Sequence, residues 1–251
     1  KYRTELNAAS YERLSKAHPE TKKQITKVGR FTITDAIFSG PVVISGEDYP
    51  NITTIVDFAF DQSGGCVRPT TVTISGAFPE LQTIGEAAFN NYEGKLTISG
   101  VFPKLHTIGQ SAFYYGGTAD SSIEFNGLPE LQTIAVQAFT YYEGKLTISG
   151  NFPNLHTIDA RAFSETGNDE SSVTLNEIGS LSEIYNNAFD KFKGTLTISG
   201  DASSLTFIGS NAFLQAGDSQ SSLVFKNAII ETLSISANAF EGFRGEVAVG
   251  G

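Results

Sequence analysis

The sequence contains no methionine, no tryptophan and a single cysteine, Cys66. One cysteine cannot form an internal disulfide, and we expect an unpaired small residue in a Gly-rich loop rather than a functional thiol. Without methionine the chain lacks a native start, so we expect that a preceding segment is not included, either a targeting segment or part of a longer protein. No run of about 18 apolar residues occurs, which argues against a membrane-spanning helix in this sequence.

Positive charge is scarce beyond the first 30 residues. The net charge of the chain is -10, yet residues 1–30 hold eight Lys and Arg against three Glu. The acidic remainder argues against a nucleic-acid partner, because nucleic-acid binders neutralise phosphates with basic patches. The first segment contains Leu6, Ala8 and Leu14, and Pro19 should break its helix. We predict that residues 1–30 form a helical N-terminal cap.

Phenylalanine is abundant, and eight of the 19 follow an alanine at regular intervals. These are Phe60, Phe89, Phe113, Phe139, Phe163, Phe189, Phe213 and Phe240, and most of the intervals alternate between 24 and 26 residues. An isoleucine lies five residues before each of them, and Ile33 and Phe38 keep that spacing, which predicts a ninth, degenerate coil. Repeats of this length predict a stacked solenoid, because one unit cannot bury its apolar face alone.

Each coil contains one alternating segment, such as Leu96-Thr97-Ile98-Ser99. A period of two predicts a half-buried strand with Thr97 and Ser99 outward, ended by Gly100. Strands of successive coils should pair in parallel about 4.8 Å apart. The other predicted strands are 42–45, 72–75, 123–126, 146–149, 173–176, 196–199, 223–226 and 247–249. The last one would be an exposed edge, so we expect further coils or another chain to cover it.

The order Leu-x-x-Ile-x-x-x-Ala-Phe, carried by residues 105–113, resembles the BspA-like, or Treponema-type, leucine-rich repeats. The resemblance covers about residues 31–251. It implies a right-handed leucine-rich-repeat solenoid, of the α/β class but rich in strand, with a parallel sheet of about nine short strands. It also implies a secreted or cell-surface protein, as in host-associated bacteria, that adheres to host extracellular proteins or to other cells.

The family usually has a cysteine three residues after the phenylalanine, at a position that faces the core. Here that position in the coils with the shorter loops is aromatic, and the residues are Tyr92, Tyr142, Phe192 and Phe243. We expect these rings to pack internally rather than to form a binding strip.

The residues offer no constellation for catalysis. His106 and His156 take the same coil position two coils apart, about 10 Å by strand spacing, which is too far to share a zinc ion. No serine can be assigned a histidine and a carboxylate as partners. We therefore predict no enzymatic activity and no cofactor.

The loops after the phenylalanines alternate between two lengths, so the longer ones should line up on one edge. They contain Asp120, Asp169, Glu170 and Asp218, and each ends in Ser-Ser. Calcium needs roughly six to eight oxygen ligands, and a row of such acids would supply only some of them. Turns closed by Asp and Ser side chains are the simpler interpretation.

Candidate partner-binding residues fall into two groups. The outward strand positions Thr97, Glu124, Thr147, Thr174 and Thr197 form a small, polar, nearly uncharged face. Tyr114 and Tyr115 lie in a longer loop, and tyrosine is favoured at protein interfaces.

Three functions stay open at this point. The first is a surface-displayed or secreted adhesion module that binds a protein ligand, such as a host extracellular or neighbouring-cell surface protein. The second is a structural spacer or stalk within a larger surface protein. The third is a carbohydrate-binding module, for which Tyr114 and Tyr115 are the motivation.

Overall fold

The computed structural model describes residues 5–31, 40–63 and 69–250. The predictions for Ile33, Phe38 and Cys66 therefore concern residues outside the described ranges. Nineteen strands and two short helices occur within these ranges. Neither of those two helices has the length and apolarity that crossing a bilayer requires.

The first described residues form four short elements. They are β1 (Glu5–Leu6), α1 (Tyr11–Ser15), α2 (Pro19–Lys22) and β2 (Lys27–Val28). Pro19 lies at the start of α2, where its missing N–H would have no helical partner in any case. The predicted break at Pro19 is therefore the beginning of a second helix.

The longer strands of the coils form one nine-stranded parallel sheet, as the alternating pattern predicts. Its strands are β3 (Val42–Ser45), β5 (Thr71–Ala77), β7 (Lys95–Val101), β9 (Ser122–Asn126), β11 (Lys145–Asn151), β13 (Ser172–Asn176), β15 (Thr195–Asp201), β17 (Ser222–Lys226) and β19 (Glu246–Val249). Leu96 and Ile98 are buried while Thr97 and Ser99 are partly exposed. The prediction that Gly100 ends the strand is wrong, because β7 continues to Val101.

A second sheet of two-residue strands runs along the solenoid, and the sequence analysis did not predict it. After β1 and β2 it contains β4 (Thr54–Ile55), β6 (Thr83–Ile84), β8 (Thr107–Ile108), β10 (Thr133–Ile134), β12 (Thr157–Ile158), β14 (Glu183–Ile184), β16 (Phe207–Ile208) and β18 (Ser234–Ile235). From Ile55 to Ile208 the isoleucine of each repeat thus has two roles, since its side chain is buried in the core and its backbone pairs with neighbouring coils. Ten such strands correspond to about ten turns.

The core contains a column of stacked phenylalanine rings, one from each coil. The members are Phe31, Phe60, Phe89, Phe113, Phe139, Phe163, Phe189, Phe213 and Phe240. Neighbouring ring centroids lie 4.7 to 5.4 Å apart, with interplanar angles of 2 to 12°. This column confirms that each Ala-Phe step returns the chain to the core.

The first coil departs from the predicted spacing. Val28 pairs with Ile55 in the ten-stranded sheet, and Phe31 stacks on Phe60. Val28 and Phe31 therefore take positions equivalent to those of Ile55 and Phe60 in the next coil. In this first coil the aliphatic and aromatic residues are three positions apart instead of five, and the prediction for Ile33 and Phe38 lies outside the described residues.

Tyr11 covers the outer edge of the first long strand. Its ring packs edge-on against Phe31 at 5.7 Å between centroids, and its hydroxyl accepts a hydrogen bond from the Val43 N–H at 2.6 Å. Leu6 and Leu14 are buried in the same core. We propose on this basis that residues 1–30 cap the solenoid, although β2 already continues its ten-stranded sheet. The last coil is less covered, because Ile229, Ile230, Ile235 and Val247 are 42 to 67% exposed.

Three pairs of neighbouring long strands, β7 with β9, β11 with β13 and β15 with β17, are offset in register by two residues. Gly100 of β7 lies opposite Phe125 of β9, and the equivalent glycines Gly150 and Gly200 lie opposite Leu175 and Phe225. A Cβ on any of these glycines would lie 2.0 to 3.1 Å from backbone atoms of the preceding coil, so these positions require glycine. A step of two residues keeps every side chain on its own face of the sheet.

Candidate interaction surface

The predicted sheet-face residues all lie on the outer side of the nine-stranded sheet. Glu124 is exposed, and Thr97, Thr147, Thr174 and Thr197 are partly exposed. Glu124 pairs with Thr147, and Thr174 with Thr197. Thr97, however, pairs with Ser122 instead of Glu124. These five residues therefore do not form one straight column across the sheet, because the register step interrupts their pairing.

Polar side chains on this face bond to one another. Asn126 Nδ2 donates to Glu124 Oε1 at 2.5 Å, and Ser149 Oγ donates to Asn126 Oδ1 at 2.7 Å. In the next double repeat, Ser199 Oγ donates to Asn176 Oδ1 at 2.8 Å. Part of the hydrogen-bonding capacity of the face is thus used between strands.

A second surface lies along the edge formed by the loops after each phenylalanine. The residue two positions after the phenylalanine has a left-handed backbone conformation in six consecutive coils, with φ between 48 and 59°. These residues are Asn91, Tyr115, Tyr141, Glu165, Lys191 and Gln215. The backbone N–H of each donates to the following coil, so their side chains stand in one row, which we call the loop-edge row. This conformation is uncommon for residues other than glycine and asparagine, and its repetition indicates that the coil geometry imposes it.

Three tyrosines gather at one part of the loop-edge row. Tyr115 and Tyr141 stack with ring centroids 4.4 Å apart. Tyr114 packs edge-on against Tyr115 at 4.8 Å. Tyr115 is 47% exposed. The structure thus places the predicted residues Tyr114 and Tyr115 next to Tyr141. The sequence signal for Tyr141 was its place in the repeat, two residues after Phe139.

Charged residues follow the tyrosines along the same row. Lys191 Nζ lies 3.4 Å from Glu165 Oε1 in the preceding coil, and both side chains are partly exposed. In every second coil another exposed residue stands four positions after the phenylalanine. In chain order this position holds Glu93, Glu143, Lys193 and Arg244.

These side chains line two adjoining cavities. The larger has a volume of about 580 Å³ and lies among Tyr115, Tyr141, Glu143, Asp169 and Lys193. The smaller, of about 380 Å³, shares Asp169 and Lys193 with the first and extends to Arg244. We call the two together the loop-edge groove. It follows the edge of successive coils, as the predicted alignment of the longer loops requires.

A family model described as a BspA type leucine-rich repeat region matches the chain in six copies, over residues 31–143 and 106–244. The chain belongs to the BspA-type leucine-rich repeat family. Repeat proteins of this family are often surface-associated and interaction-mediating, and they are typically non-catalytic. Neither curated proteins nor solved structures give a significant match to the chain.

The position that holds cysteine in BspA-type repeats is confirmed as internal here. Tyr92, Tyr142 and Phe192 are at most 1% exposed, and Phe243 is partly buried against the same core. The Tyr92 hydroxyl donates to the Pro69 carbonyl at 3.0 Å. Burial raises the pKa of the phenols of Tyr92 and Tyr142. These rings belong to the core and are not part of the interaction surface.

The first serine of each Ser-Ser step has a structural role in these BspA-type coils. Ser121, Ser171 and Ser221 are buried. Ser171 Oγ accepts from the Leu146 N–H and from the Asn168 N–H, both at 3.0 Å, and the other two serines accept equivalent bonds. Each hydroxyl thus joins its own loop to the strand of the preceding coil.

The acid of the third longer loop is also engaged locally. Desolvation raises the pKa of Asp218, but hydrogen bonds from Thr195 Oγ1, the Gln220 N–H and Ser221 outweigh it and lower the pKa below its usual value. Its Oδ2 accepts from Thr195 at 2.7 Å. This arrangement is the Asp and Ser turn that the sequence analysis preferred to a calcium loop.

The histidines make local contacts. His106 Nδ1 lies 2.9 Å from Thr107 Oγ1, and His156 Nδ1 lies 2.6 Å from the Asn154 carbonyl oxygen. Over residues 5–31, 40–63 and 69–250, no three side chains of His, Cys, Asp or Glu are placed so that they could hold a metal ion.

Proposed function

We propose that this BspA-type solenoid is a protein-interaction module, secreted or displayed at a cell surface, that mediates adhesion through its loop-edge groove. The observation that carries the proposal is the stacked pair Tyr115 and Tyr141, partly exposed beside charged side chains in a cavity of about 580 Å³. Tyrosine combines apolar area with a hydrogen-bonding tip and is enriched at protein interfaces. The frequent surface association of the family supports the location.

A protein ligand suits the groove better than a compact small molecule. The two cavities continue along successive coils, and stacked repeats present extended surfaces of this kind to chain-like partners. The ligand would be a host extracellular protein or a surface protein of a neighbouring cell. No catalytic role is part of the proposal, because the buried loop serines are occupied as hydrogen-bond acceptors for backbone amides.

Affinity capture with matched variants tests this function. The immobilised chain is exposed to extracts of host matrix and of neighbouring cells, and Tyr115→Ala is compared with Thr147→Ala. Tyr115→Ala should release a protein that the wild-type chain retains, whereas Thr147→Ala on the sheet face should keep it. Circular dichroism of both variants verifies that they fold.

Two results would count against this proposal. If no protein is retained from either extract, the interaction function fails. If Thr147→Ala releases the ligand and Tyr115→Ala does not, the contact lies on the sheet face. In that case Thr97, Glu124, Thr174 and Thr197 become the residues to test, and until then they stay predictions.

A structural spacer is the second candidate, and the hydrogen bonds among sheet-face side chains favour it. The function of a spacer would depend on its length, which the number of coils sets, and not on the loop-edge residues. Simultaneous replacement of Tyr115 and Glu143 without any loss of ligand binding or adhesion would support it.

Carbohydrate binding also has one supporting observation, the 47% exposure of Tyr115 beside the carboxylates of the groove. A glycan array probed with the wild-type chain and with Tyr115→Ala separates this function from protein binding. Signal that disappears in the variant would favour a sugar ligand.

A further inference from the structure

Charge changes sign along the loop-edge groove. Glu143 stands at the end nearest the tyrosines, Lys193 where the two cavities meet, and Arg244 at the other end. Among the described residues, no salt bridge involves any of these three side chains. The groove therefore has an acidic side chain at one end and basic side chains in its other half, and these are not engaged in salt bridges within the described ranges.

The other charged residues of the groove are one ion pair and two further acids. Glu165 and Lys191 pair with each other at 3.4 Å. Asp169 is exposed, belongs to both cavities and has no salt bridge within the described ranges. Asp218 lines the basic end, but its oxygens accept hydrogen bonds within its own loop and from Thr195.

Each end has the chemistry to recognise a particular group. The flat faces of Tyr115 and Tyr141 beside the Glu143 carboxylate suit an ammonium or guanidinium group, which aromatic rings and carboxylates both attract. Lys193 and Arg244 suit a carboxylate, because charge-assisted hydrogen bonds to such groups are among the strongest that proteins form.

The distance between the ends matches a short extended peptide. Lys193 is two coils from Glu143 and Arg244 is four coils away, which correspond to about 10 Å and about 19 Å at the spacing of paired strands. An extended chain advances about 3.3 Å per residue. A basic and an acidic residue about three to six positions apart would therefore reach both ends.

We infer that the groove binds an extended peptide segment of the partner, with a Lys or Arg beside Tyr115 and Glu143 and an Asp or Glu beside Lys193 and Arg244. The inference rests on the proposed function and adds the chemical class of the ligand and its orientation by charge. Recognition of this kind would reject segments of uniform charge, since one end of the groove repels them.

Binding of labelled peptides to the intact chain tests the inference. Four peptides of equal length in a Gly-Ser background carry lysines at one end and glutamates at the other, lysines at both ends, glutamates at both ends, or no charge. Fluorescence anisotropy at low ionic strength should show the bipolar peptide binding about tenfold more tightly than the other three. Added salt should reduce this difference.

A charge-reversal variant gives the sharper test. In the double variant Lys193→Glu/Arg244→Glu the peptide with lysines at both ends should become the preferred ligand. Lys104→Glu is the matched control, because Lys104 is exposed outside the groove and pairs with Glu80 at 2.8 Å. This control should leave the preference for the bipolar peptide unchanged.

The outcomes separate the inference from the function on which it rests. Equal affinities for all four peptides, no detectable binding of the bipolar peptide, or an unchanged preference in the double variant would each overturn the inference. If affinity capture still yields a protein whose retention depends on Tyr115, the interaction function stands without it. If affinity capture yields no ligand either, both fail.

Discussion

Replacing one ring of the phenylalanine column should destabilise the chain by an amount that depends on its number of ring neighbours. Phe139 is fully buried and lies between Phe113 and Phe163, at centroid distances of 5.0 and 5.2 Å. Phe139→Ala should lower the free energy of unfolding by about 3–5 kcal/mol, the cost of a large-to-small change in a packed core.

Phe240 supplies an internal comparison. It is only partly buried and stacks on Phe213 alone within the column, at 5.4 Å. With one ring neighbour and incomplete burial, Phe240→Ala should cost roughly half as much, about 2 kcal/mol. Thr147→Ala on the outer sheet face is the surface control and should cost less than about 0.5 kcal/mol.

Urea unfolding followed by circular dichroism measures all three variants, and the shift in midpoint ranks them. The loss of stability should be largest for Phe139→Ala, smaller for Phe240→Ala and smallest for Thr147→Ala. Equal losses of unfolding free energy for Phe139→Ala and Phe240→Ala would mean that a second neighbouring ring and complete burial contribute nothing measurable. A loss for Thr147→Ala as large as that for Phe139→Ala would mean that the inward and outward positions are wrongly assigned.

Three further predictions concern the backbone, the loops and pH. Gly100→Ala should lower the unfolding midpoint in urea, because a Cβ there would overlap the carbonyl oxygen of Gly76; an unchanged midpoint would contradict the close approach of these two strands. Ser171→Ala should cost about 2–3 kcal/mol in the same assay, because two backbone amides lose their acceptor, whereas Ser149→Ala at the partly exposed sheet face should cost under about 0.5 kcal/mol. The pKa of Tyr142 is raised by burial, so its contribution to stability is complete below about pH 10 and is lost as pH rises through the folded-state pKa. Ultraviolet titration near pH 10 should therefore ionise fewer phenols in the folded chain than in urea, and equal counts would contradict the burial.

The repeat pattern was sufficient to predict the main sheet and the core. The regular spacing of Ala-Phe predicted the coils, and the alternation in Leu96-Thr97-Ile98-Ser99 predicted which side chains face inward. Both were confirmed because periodic apolar positions can be buried only against neighbouring coils. The ten-stranded sheet was missed, since a two-residue strand such as Thr107–Ile108 is too short to show any period.

The register step and the first coil depended on details that periodicity does not contain. Phe125 lies opposite Gly100 and not opposite Ile98, and Gly100 lies so close to the backbone of Gly76 that it has no room for a Cβ. In the first coil, Val28 and Phe31 preserve the contacts of the repeat while changing its spacing. Contacts of this kind depend on side-chain volume and backbone geometry, and a constant interval between residues contains no information on either.

The candidate site was only partly predictable for the same reason. Tyr114 and Tyr115 were singled out by residue type, but their association with Tyr141 required the loop-edge row. The row is visible in the sequence once it is known that the residue two positions after each phenylalanine always points along the same edge. Its left-handed backbone would ordinarily suggest glycine or asparagine, and the presence of tyrosine and charged residues there conceals the pattern.

The internal repeats also indicate where this chain tolerates change. In the coils that begin with Phe89, Phe139 and Phe189, the next strand is Leu-Thr-Ile-Ser-Gly each time. Two positions after these phenylalanines the residues are Asn91, Tyr141 and Lys191, and four positions after them the order is Glu, Glu and Lys. Copies that share this strand therefore differ at the loop edge. A pure spacer would gain nothing from replacing glutamate by lysine at one position of one copy, whereas a groove that distinguishes the two ends of a bound segment needs such a difference.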